Sequence, residues 1–211
     1  MPRSFFPATA AMLFVSLAVS LLASKLLSPF PFLPQRERIV FSGGASLFSA
    51  WIAKGLFPAF FEEFFCRGIL LSRLAPYGRK KAILFSSLAF AFLHPSPDGI
   101  LYSFFGGWFL GFIALETGSV TFPFLMHLIN NTLNLLFAFF SPRAESPQAV
   151  GILGFCLVVL TSGGILTGIF LLLSFLRREK KRAAVYPENG DKKGLLAFLT
   201  FCLIAFVISF L

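Results

Sequence analysis

The sequence predicts an all-α fold, a polytopic transmembrane bundle of seven or eight helices, on three observations. Hydrophobic residues make up 57% of the chain and charged residues only 13%, about half the charged share of an ordinary soluble domain. Apolar stretches of about 18 residues or more, each able to cross about 30 Å of hydrocarbon as a helix, are separated by short polar segments. Period-two alternation is absent, so helices rather than a closed barrel must satisfy the backbone.

The first span, about Ala8 to Leu27, is longer than the apolar core of a signal peptide and has no A-x-A cleavage site after it, so it reads as a transmembrane helix. Pro29, Pro31 and Pro34, with Arg36 and Arg38, make Ser28 to Arg38 a loop. From Ile39 to Leu74 the chain is apolar for about 36 residues, roughly 54 Å if helical and more than one crossing, which predicts a break near Gly55 to Pro58. Spans follow at about Ala82 to His94, Gly99 to Leu115 and Val120 to Phe140, joined by connections short enough for antiparallel neighbours. Two more, about Ala149 to Leu176 and Gly194 to Leu211, flank a hydrophilic segment. Residues 1–211 read as a single transmembrane domain.

The net charge of +9 does not point to nucleic acid, because the basic residues lie in loops, where they orient the chain in the lipid bilayer. The Arg177 to Lys193 segment is the strongest candidate for the cytoplasmic side, and counting spans back from it puts the Arg73 to Lys81 loop there as well. The expected location is a bacterial cytoplasmic membrane, crossed several times. Cys66, Cys156 and Cys202 form no CxxC and lie in apolar stretches, so they read as packing residues. Gly107 with Gly111 has the small-xxx-small spacing that permits close helix packing.

Glu62 and Glu63 interrupt an apolar run between Phe60, Phe61, Phe64 and Phe65, with Arg67 close behind. Each unpaired charge at the bilayer centre costs about 2.5–3.5 kcal/mol, so these groups need partners. Glu63 and Arg67 are i,i+4 neighbours in the favourable order and predict an ion pair, while Glu62 points about 100° away. The bland alternative is a structural clamp with no chemistry. Both histidines of the chain, His94 and His127, also fall in hydrophobic spans. After His127, Asn130, Asn131 and Asn134 draw a polar stripe along one helix face, for which interhelical hydrogen bonding is the bland alternative.

These residues resemble the CAAX-protease and bacteriocin-processing family of intramembrane proteases, also called CPBP or Abi. Its pattern of EExxxR, FxxxH and HxxxN stands here as Glu62-Glu63-Phe-Phe-Cys-Arg67, Phe90-Ala-Phe-Leu-His94 and His127-Leu-Ile-Asn-Asn131, in order and on separate spans. The resemblance covers about residues 57–134 and implies a catalytic core there. It implies hydrolysis of a peptide bond in a membrane-associated protein or peptide. Glu62 and His94 would polarise the water, His127 and Asn131 would stabilise the oxyanion, and Arg67 would fix Glu63. No cofactor is the favoured expectation; the alternative is Zn²⁺ held by Glu62, His94 and His127, with an open position for water. Two other functions use the same buried groups: a transporter or proton-relay protein, and a non-catalytic scaffold of the same fold.

Overall fold

The computed structural model describes residues 5–27, 29, 41–94, 96–140, 173 and 200. The connector Ser28 to Arg38 apart from Pro29, the basic Arg177 to Lys193 segment, the spans about Ala149 to Leu176 and Gly194 to Leu211 apart from two residues, Cys156 and Cys202 lie outside them. Every described element is a helix. We number them α1 (Phe5–Leu27), α2 (Gly44–Tyr77), α3 (Arg79–Phe92), α4 (Pro97–Thr117) and α5 (Thr121–Phe140). Three of them, α2, the Gly99–Thr117 part of α4, and α5, are long and apolar enough to cross a membrane.

The break expected near Gly55 to Pro58 does not occur. The chain runs helically from Gly44 to Tyr77, with wider π-helical winding over Trp51–Leu56 and Phe64–Leu71 on either side of an α-helical Phe57–Glu63. Pro58 stands near the start of that α-helical piece, inside the continuous helix, where it has no N–H to donate to the preceding turn. The preceding change of winding absorbs what would otherwise be a kink.

Elsewhere the ends are set by local chemistry. Ser96, in extended conformation, accepts the Gly99 N–H at 3.2 Å, and Pro97 follows it to start α4. Gly118 ends α4 with φ 64°, and its N–H returns to the Ala114 carbonyl. Arg79 donates to the Glu116 carboxylate at 2.9 Å and to the Leu115 carbonyl at 3.2 Å, fastening the start of α3 to the end of α4.

α4 is the central helix, packed against α1 on one side and α3 on the other, while α2 packs on α3 and α5. Met12, Cys66, Leu71, Ile83, Leu110, Ile113 and Met126 form the buried centre. The outer face of α2 is the reverse: Phe57, Phe60, Phe61, Phe64, Phe65 and Ile69 are each 46–61% exposed. Such a surface suits hydrocarbon and would be an aggregation liability in water. Exposed Lys54 and Arg73 bracket it, 19 residues apart and so about 28 Å along a helix, one hydrocarbon thickness. Glu62 and Glu63 sit near the midpoint.

Candidate active site

Glu63 and Arg67 face inward from α2, with side chains fully buried. Arg67 Nη1 donates to Glu63 Oε1 at 2.8 Å, the i,i+4 pair expected from the spacing. The same Glu63 oxygen accepts from His127 Nδ1 at 3.0 Å, so one carboxylate oxygen ties α2 to α5. Arg67 Nη2 donates to the Gly107 carbonyl of α4 at 3.0 Å, and its guanidinium carbon lies 4.4 Å from the centroid of the Phe90 ring. The cation is therefore held by a carboxylate, a carbonyl and an aromatic face from three helices.

Phe90 links the parts. Its ring centroid is 5.3 Å from that of His94 and 5.3 Å from that of His127. His94 follows the last turn of α3, and its Nδ1 lies 3.1 Å from the Phe90 carbonyl oxygen. A carbonyl can only accept, so Nδ1 carries the hydrogen and Nε2 is the acceptor of the neutral ring. α3 has 14 residues, about 21 Å of helix against about 30 Å of hydrocarbon. The helix expected at Ala82 to His94 begins earlier, at Arg79 in the basic run, ends at Phe92, and is not one of the three long and apolar enough to cross a membrane.

A cavity of about 30 Å³ is lined by His94 and Phe90 of the second motif, His127 and Asn131 of the third, and Tyr102, Ser103 and Gly106 of α4, among others. That is room for about one water. Asn131 Nδ2 donates to the Gly55 carbonyl at 3.3 Å. Asn130 donates to the Tyr102 hydroxyl, and Asn134 Nδ2 does so at 2.9 Å, so these two amides make the interhelical bonds that were the bland alternative for the stripe. Glu62 is half-buried; its Oε2 is sealed from solvent and has no partner among the described residues. It lies within electrostatic reach of His127, Glu63 and Arg67. Among the described residues no three of His, Cys, Asp and Glu are grouped as metal ligands.

Tyr102, Ser103 and the Trp51 to Thr132 hydrogen bond of 2.9 Å carry no signal in residue spacing. A lone hydroxyl in an apolar helix leaves little trace in a hydropathy pattern. Gly107 did carry a signal in its small-xxx-small spacing, and its role is now specific. A Cβ there would meet the Ser87 Cα at 3.2 Å, Phe90 Cδ1 at 3.2 Å and Arg67 Nη2 at 3.3 Å. Gly107→Ala is expected to force α3 and α4 apart and lengthen the Arg67 contact, lowering stability by about 1–3 kcal/mol. A detergent-solubilised variant with an unchanged unfolding temperature would contradict this.

No curated protein and no solved structure matches the chain. Residues 44–133, a segment that contains Glu62, Glu63, Arg67, His94, His127 and Asn131, match the family model described as Type II CAAX prenyl endopeptidase Rce1-like, and over that segment the chain is similar to this family.

Proposed function

We propose that the protein is an intramembrane endopeptidase of the CAAX-protease type, which hydrolyses a peptide bond in a membrane-associated protein or peptide with water activated by glutamate and histidine. The observation that carries the reading is the double contact of Glu63 Oε1 with Arg67 and His127, which joins the first motif to the third. The cavity shared by His94, His127 and Asn131 joins the second to the third.

In this reading Glu62 and His94 hold the water, and Glu62 takes its proton as the oxygen attacks the scissile carbonyl. A dry site makes a carboxylate an efficient general base. The carbonyl oxygen gains negative charge and is met by His127 Nε2–H and by the Asn131 amide. An amide nitrogen has two hydrogens, so Asn131 can hold Gly55 with one and the oxyanion with the other. Glu63 fixes the ring of His127 and balances its charge when both ring nitrogens are protonated. The proton on Glu62 then passes to the departing amine, leaving a new carboxylate and a new amino terminus.

The test is cleavage, by purified protein in detergent micelles, of an internally quenched peptide ending in a farnesylated CAAX tetrapeptide. Hydrolysis at one bond is expected, with ¹⁸O from labelled water in the new carboxylate. Turnover is expected to persist after dialysis against a strong zinc chelator. Loss on chelation, restored by added Zn²⁺, would replace the metal-free mechanism with a metal-dependent one; no cleavage of the peptide would count against the CAAX-type reading.

A further inference from the structure

α4 supplies none of Glu62, His94, His127 and Asn131, yet it forms a wall of the cavity that His94, His127 and Asn131 line. On that wall stands Ser103, only 1% exposed, with a hydroxyl that has no hydrogen-bond partner among the described residues. The contrast with the other buried serines is sharp. Ser86 and Ser87 of α3 donate to the Ile83 carbonyl at 3.2 and 2.6 Å, the usual way for a helical serine to satisfy its proton. Ser103 has the same option in principle and does not use it.

A buried hydroxyl left without a partner is uncommon in native proteins and calls for a reason. Here the reason is at hand, because the cavity beside Ser103 has room for about one water or one carbonyl oxygen. The neighbouring turn is also fixed. Tyr102 accepts from Asn130 and Asn134, which holds this part of α4 in register with the face of α5 that carries His127 and Asn131.

We propose that Ser103 is a further catalytic residue, whose hydroxyl donates a hydrogen bond to the substrate carbonyl oxygen as that oxygen acquires charge, alongside His127 and Asn131. This rests on the hydrolase reading above. It adds a donor from a helix outside the three motifs, and leaves the bond-making steps unchanged, since Ser103 keeps its proton throughout.

The experiment measures kcat, KM and unfolding temperature for the farnesylated CAAX peptide with wild type, Ser103→Ala and Ser103→Cys. Removing one donor to a developing oxyanion acts on kcat. Ser103→Ala is expected to lower kcat by about 10- to 100-fold with KM within about twofold, and its unfolding temperature should hold or rise because a partnerless hydroxyl has gone. Ser103→Cys, nearly the same size and a weaker donor, should fall between the two. Wild-type kcat in Ser103→Ala overturns the proposal and leaves the hydrolase reading standing. Parallel loss of activity and unfolding temperature in both variants assigns Ser103 a packing role instead. Complete inactivity of Ser103→Ala together with an acyl-enzyme burst in wild type makes Ser103 a nucleophile and also overturns it. Absence of turnover in wild type removes the hydrolase reading, and this inference with it.

Discussion

Glu62→Gln is expected to lower kcat by about 10²- to 10⁴-fold, the range a positioned general base supplies, while the protein inserts and unfolds as wild type does. The substitution keeps the shape of the side chain and removes its ability to take a proton. Stability should be spared because Glu62 makes no hydrogen bond through Oε2 and, unlike Glu63, belongs to no buried ion pair among the described residues. The contrast between adjacent glutamates is the informative part. Glu63 is completely buried and spends one oxygen on two partners; Glu62 is half-buried and its Oε2 has no partner among the described residues. A structural residue and a reactive one would differ in this way. Turnover of the CAAX peptide by a pure Glu62→Gln preparation at more than about a tenth of the wild-type rate, a loss well short of the least expected of a base, would move the base to another residue.

The sequence made some of this arrangement legible and concealed the rest for identifiable reasons. The Glu63 to Arg67 pair followed from helical spacing alone, because both ends lie on one turn. The Glu63 to His127 bond spans 64 residues, and nothing local specifies which face of α5 meets α2. The helix at Thr121–Phe140 followed from its apolar run. The continuity of α2 did not, because Gly55 and Pro58 signal a break in any pattern analysis, whereas a change in winding accommodates both. The start of α3 at Arg79 was hidden by Lys80 and Lys81, which read as loop but extend from the first turn of the helix, exposed. The site lies where local pattern and tertiary need disagree: buried charges, a short helix and a hydroxyl without a partner.

Arg67→Met carries the second large effect. Removing one member of a buried pair leaves its partner's charge uncompensated and costs about 3–5 kcal/mol, and Arg67 and Glu63 have no exposed side-chain surface through which water could compensate. Loss of the cation also removes the ligand of the Gly107 carbonyl and the group stacked on Phe90, so His94 and His127, which pack on the same ring, should lose their common support. Adding Glu63→Gln to Arg67→Met discriminates the causes. The introduced glutamine can still accept from His127 Nδ1 through its amide oxygen but brings no charge, so the double variant should regain stability relative to Arg67→Met, with a coupling energy within about 0.5–3 kcal/mol. Thermal unfolding of the two single variants and the double variant in one detergent measures it. Additive losses would mean that the two side chains act independently, and the clamp joining α2, α4 and α5 would then not be what holds His127 against the cavity. If stability returns while kcat stays low, the charge of Glu63 contributes to the reaction itself, by balancing the imidazolium of His127 as the oxyanion forms.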